Sequence, residues 1–187
     1  SPLYDDFELL KKWLDIRKKS QSEKAALYCN ITSLHKGAHS GNEKDWWERD
    51  EANRYKQHVQ FLFEDLEKFF KDLKVSGRNY VVIFVPEHGL ALRGVSIQLQ
   101  GLRDIPLPQI TLVPVGVKLI GVGYPDMPEN QELISKPTSY LALSYLLSSF
   151  LKEPPFGVGS QLLPQKILND IPETVFVAEN EIVKVVK

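Results

Sequence analysis

The amino-acid sequence predicts an α/β fold, a mostly parallel sheet with flanking helices, and three observations carry that reading. Residues 80–85 are an unbroken β-branched and aromatic run ended by Pro86, the composition of a strand buried on both faces. From residue 25 to residue 85 the order is strand, loop, helix, strand, which is the order a right-handed parallel crossover needs. Beyond it, an apolar run at 113–120 is followed by a helical segment at 139–151. At 187 residues, 43% hydrophobic and 25% charged, the chain has material for one sizeable core, and 1–187 is read as a single domain.

Each element follows from its local pattern. Residues 5–20 place Phe7, Leu10 and Leu14 at helical spacing among lysines and acids, so an amphipathic helix opens the chain. Residues 25–31 read as a short apolar strand. Residues 32–49 have no period and hold Gly37, Ser40, Gly41 and Asn42 with His35 and His39, a polar surface loop. Over 50–74, the residues Val59, Leu62, Phe63, Leu66, Phe69, Phe70 and Leu73 recur at three and four, and Gly77 marks the stop. Residues 90–110 are mixed, carrying Arg93, Arg103 and Asp104 before Pro106 and Pro108, and read as an irregular excursion. Residues 113–120 return as a strand, 139–151 form a buried helix opened by Pro137-Thr138, and 175–186 form a hairpin turning at Glu179-Asn180.

Charge and composition narrow the function. The net charge is -1 and both signs alternate along the helices, which argues against nucleic acid as a partner. The longest apolar stretch, 140–151, is broken by Ser144, Ser148 and Ser149 and is shorter than the roughly 20 residues a spanning helix takes. No signal peptide is read. Cys29 is the single cysteine, so no internal disulfide is expected. The chain begins Ser-Pro, and we expect it to be cut from a longer protein.

The chemistry concentrates after residue 85. Pro86 has no N–H to donate and ends the strand, which delivers Glu87 and His88 to its carboxyl end, where ligands bind in open α/β sheets. Gly89 is expected to supply unusual dihedrals for a turn that re-aims both side chains. One oxygen and one nitrogen donor together suit zinc. A parallel crossover would bring the His35 loop to the same sheet edge. His58 reads as a packed or solvated helix residue, Cys29 as a core residue, and Trp46-Trp47 as packing more than as a sugar platform.

Five ordered segments then carry a resemblance. They are Leu34-His35-Lys36-Gly37-Ala38-His39, Val85-Pro86-Glu87-His88-Gly89, Gly101-Leu102-Arg103-Asp104-Ile105-Pro106, Val113-Pro114-Val115-Gly116-Val117-Lys118 and Pro137-Thr138-Ser139-Tyr140-Leu141-Ala142. Together they resemble the bacterial cellulose phosphoethanolamine transferases, a branch of the alkaline phosphatase and sulfatase superfamily, across most of residues 4–180. In the last segment the family motif reads Pro-Ser-Ser-Phe-Leu-Ala.

The resemblance implies an alkaline phosphatase-like fold, of which this chain is the C-terminal part. It also implies zinc-dependent transfer of phosphoethanolamine from phosphatidylethanolamine to cellulose hydroxyls, in the periplasm, alongside the cellulose synthase complex. Glu87 and His88 become zinc ligands, His35 a catalytic histidine near the phosphoryl group, Arg103 a catalytic phosphate contact, and His39 a matching residue of less defined role. The family's nucleophilic serine, its cysteine ligand and its membrane-spanning part lie upstream of this chain, and Cys29 falls on a non-ligand aromatic position. The chain alone is therefore expected to bind zinc weakly and transfer nothing. Two other readings stay open: a non-catalytic glycan- or synthase-binding module of the same fold, and a sulfatase-like or phosphomonoester hydrolase.

Overall fold

Apolar residues spaced by three and four build two long helices, α1 (Asp6–Lys19) and α2 (Glu51–Val75). The computed structural model describes residues 6–34, 51–91, 105–121, 133–156, 164–171, 176–179 and 182–185. Residues 1–78 and 79–187 form two units, and each is considered by itself.

In the first unit, Leu10 and Leu14 of α1 and Leu62, Leu66, Phe69 and Leu73 of α2 are buried, so most of the repeat read from the sequence is the packed face, while Phe63 is exposed. Trp13 meets Phe69 edge-on, with ring centroids 6.5 Å apart at 61°. The ammonium groups of Lys11 and Lys68 lie 5.3 and 5.7 Å from the centre of the Phe7 ring. α2 stops at the expected glycine: Gly77 adopts φ +70°, and its N–H donates to the Lys74 carbonyl at 3.1 Å. A Cβ there would touch nothing within 4 Å, so only the left-handed backbone opposes a side chain. Gly77→Ala should cost about 1 kcal/mol, read as a shift in the denaturation midpoint with unchanged slope.

Residues 25–31 depart from expectation. They are not a strand; Leu27 is exposed and Tyr28 is 91% exposed. The backbone is held instead from the ends of α1. The Arg17 guanidinium donates to the Ser22 and Glu23 carbonyls at 2.6 and 3.0 Å, and Asp6 Oδ2 accepts the Thr32 and Ser33 N–H groups at 3.0 and 2.9 Å and the Ser33 hydroxyl at 2.5 Å. The segment thus runs back along α1, tied at both ends. Among the described residues no strand lies beside it, and an apolar run without a ladder partner does not become a strand.

The second unit holds β1 (Tyr80–Phe84), the one-turn α3 (Pro108–Thr111), β2 (Gly116–Ile120), α4 (Leu141–Lys152), α5 (Pro164–Asn169), β3 (Phe176–Glu179) and β4 (Ile182–Val185). β1 and β2 pair antiparallel, with Val82 opposite Lys118 at the centre of the register. β3 and β4 form the expected terminal hairpin, Glu179 pairing with Ile182. The parallel sheet expected from the sequence is not what these strands make: both described pairs are antiparallel. A parallel return needs a crossover of a dozen or more residues, usually a helix, and between β1 and β2 the described helix is α3 with four residues.

β1 is half-buried along its whole length, not sealed on both faces. Val81 and Ile83, with Val117 of β2, pack against buried Leu146 and Phe150 of α4 and Ile167 of α5. α4 itself buries one stripe, Ala142, Leu146 and Phe150, and exposes Leu141, Tyr145, Leu147 and Leu151, so the buried helix expected at 139–151 is buried on one side. Among the described residues no helix is long and apolar enough to cross a membrane.

Candidate functional site

Directly after β1 the chain leaves extended pairing at Val85-Pro86 and turns through Glu87, His88 and Gly89, as the proline predicts. Glu87 and His88 are both exposed, so their polar groups reach solvent at the carboxyl end of β1. His88 Nδ1 lies 2.7 Å from the Gly89 carbonyl oxygen. A carbonyl only accepts, so Nδ1 carries the proton, which leaves Nε2 as the nitrogen available to a metal or a transferring proton.

The turn is held from two sides. On one, the Gly89 N–H donates to the Ile110 carbonyl of α3 at 2.7 Å. On the other, the Tyr140 hydroxyl at the start of α4 lies 2.5 and 2.8 Å from the carbonyl oxygens of Pro86 and Glu87 and shares its single proton between them. Burial pushes the Tyr140 phenol up from its ordinary pKa, the Glu87 carboxylate adding to the effect, so the hydroxyl remains a donor at neutral pH.

Gly89 is needed for closeness, not for the dihedral freedom expected of it. Its backbone is not in the left-handed region; instead, an added Cβ would overlap the Gln109 carbonyl oxygen and come within 3.0 Å of that carbonyl carbon and 3.3 Å of Ile110 Cα. These are backbone atoms that cannot swing aside. Gly89→Ala should therefore push the turn off α3, costing about 1–3 kcal/mol. Thermal melting checks the stability loss.

The donor set fits zinc in kind and falls short in number. A carboxylate and an imidazole with a free Nε2 are zinc donors, whereas protein zinc sites use three or four side chains. Among the described residues no group of three or more His, Cys, Asp and Glu gathers to hold an ion. His35, His39, Arg103 and the pair Trp46-Trp47 lie outside the described residues, and with them the expected convergence of His35 and Arg103 on Glu87-His88. His58 lies within α2 and is half-buried. Burial raises the pKa of the Cys29 thiol, with the Asp6 carboxylate adding to it, which disfavours the thiolate a metal would require.

Tyr140 is the residue that sequence reasoning passed over. Its signal was present: Tyr140 lies inside the Pro137–Ala142 motif, and its hydroxyl is the group that meets the turn.

The turn thus presents an exposed acid and an exposed imidazole side by side at a strand end. Comparison gives the family. Residues 1–187 match the model of the cellulose biosynthesis protein BcsG C-terminal domain, and the chain belongs to that family. It is 39% identical over 181 residues to "Cellulose biosynthesis protein BcsG" of Escherichia coli strain K12, covering 96% of this chain and 31% of that protein. It is likewise 39% identical over 182 residues to the protein of the same name from Salmonella typhimurium strain LT2, with 96% and 31% covered. The chain thus spans about a third of the length of these relatives, and the family read from the five motifs is borne out.

Proposed function

We propose that this chain is the C-terminal part of the catalytic domain of a zinc-dependent transferase that acts in cellulose biosynthesis. It moves phosphoethanolamine from phosphatidylethanolamine to a cellulose hydroxyl, in the periplasm and beside the cellulose synthase complex, with the membrane anchor in the upstream part of the protein. The observation that carries this reading is the braced Glu87-His88 turn, which offers a carboxylate and a free Nε2 together at a strand end. Family membership supports the link to cellulose.

In this reading Glu87 and His88 are two of the zinc ligands, and the rest of the site comes from the upstream part of the protein. Zinc, when bound, polarises phosphoryl oxygens and lowers the pKa of an attacking hydroxyl. Arg103 contributes the planar fork that matches phosphate oxygens. His35 holds or moves a proton near the phosphoryl group. Positioning and charge neutralisation make up most of phosphoryl-transfer catalysis, and all four side chains have chemistry suited to it.

The test is to follow diacylglycerol release from phosphatidylethanolamine by the full-length protein with cellulose as acceptor, before and after zinc is chelated and restored. Release that stops with chelation and returns with zinc supports the reading. Undiminished release in the chelated protein overturns it.

A further inference from the structure

We propose that Tyr140 is a positioning residue for the Glu87-His88 pair, its phenol fixing the backbone that aims the two side chains at one ligand. The inference rests on the zinc reading above and adds to it a residue outside the ligand set.

The geometry is specific to Glu87. The carbonyls of Pro86 and Glu87 belong to the two peptide planes that flank the Glu87 Cα, and each plane is rigid. One hydroxyl whose single proton is shared between the two oxygens, at 2.5 and 2.8 Å, therefore restrains φ and ψ of Glu87 together. Those angles decide how the Glu87 and His88 side chains diverge. In an extended strand, neighbours point to opposite faces, so co-presentation requires a backbone held away from that conformation.

The anchor is suitably stiff. Tyr140 stands at the start of α4 with φ -61° and ψ -15°, and α4 is fixed to the unit by buried Ala142, Leu146 and Phe150. The Gly89 N–H bond to Ile110 holds the far end of the turn but lies beyond both ligand residues. Without the phenol, the described contacts of the Pro86 and Glu87 carbonyls are lost while the side chains of Glu87 and His88 remain.

The experiment compares Tyr140→Phe, Glu87→Ala, His88→Ala and the control Tyr145→Phe in the full-length protein. Zinc affinity is measured by chelator competition, and amide hydrogen exchange is followed in the peptide spanning 86–89. Tyr140→Phe should weaken zinc binding about tenfold, the lower end of what lost outer-sphere support costs. It should also raise exchange in that peptide about tenfold, while Tyr145→Phe changes neither. Zinc affinity unchanged in Tyr140→Phe but lost in Glu87→Ala and His88→Ala would overturn the positioning role and leave the zinc reading standing. Affinity unchanged in those two alanine variants would overturn the zinc reading itself. Exchange then decides the role of Tyr140, faster exchange in Tyr140→Phe supporting it and unchanged exchange overturning it.

Discussion

On the proposed transferase function, Glu87→Ala or His88→Ala in the full-length protein should lower phosphoethanolamine transfer by about three orders of magnitude while the fold survives. A metal acting on a phosphoryl group supplies several kcal/mol of transition-state stabilisation, and each 1.36 kcal/mol is a factor of ten in rate. Both side chains are exposed and take no part in the buried core, so their removal leaves no cavity behind. Glu87→Gln sharpens the comparison: it keeps the shape and removes the negative charge that makes a carboxylate a zinc ligand. Initial rates of diacylglycerol release at saturating zinc, with the circular dichroism spectrum as the check on folding, measure the effect. An alanine variant that keeps more than a tenth of the rate would place the metal elsewhere.

Leu146→Ala should be the most destabilising single truncation, because Leu146 is 0% exposed at the meeting point of α4, α5 and the sheet. The lost methylenes would leave a cavity bounded by Phe150, Ile167, Val81, Ile83 and Val117. Core leucine truncations cost about 2–5 kcal/mol, the spread reflecting how far the surroundings collapse. Leu146→Met, nearly equal in volume, should cost less than about 1.5 kcal/mol. Native-state hydrogen exchange of the β1 and β2 amides reads the difference directly, since these amides report the opening of the unit that Leu146 holds together.

What was legible in the sequence was local. The run Tyr80–Phe84 lies where its composition placed it, α2 begins and ends within one residue of the expected span 50–74, and Pro86 delivers Glu87 and His88 to the strand end. Strand partnership is a different kind of information. Tyr80, Val82 and Phe84 are as apolar as Val81 and Ile83, so the run shows no alternation and mimics a central parallel strand, although its partner is antiparallel. Residues 25–31 failed for the complementary reason: an apolar run signals a strand only when a neighbour exists to complete the ladder, and neighbours are set by distant chain. The site divides in the same way. The acid and imidazole stand side by side in sequence, whereas the phenol that braces them is 53 and 54 residues away from its acceptors.

The clasp between α1 and the segment behind it has a consequence for ionic strength. Asp6 and Arg17 are charged and only 7% exposed, yet the groups that hold them are backbone dipoles and a hydroxyl. They also stand in the first and last turns of α1, where the helix dipole favours their signs. The pairs Lys11–Glu8, Lys68–Asp65 and Lys71–Glu67 lie open to solvent instead. At 1 M salt the screening length falls to about 3 Å, which erodes open pairs and leaves buried charge–dipole bonds largely intact. The first unit is thus stapled by charges that salt does not reach, and brine that strips the outer ion pairs leaves the return of the chain along α1 in place.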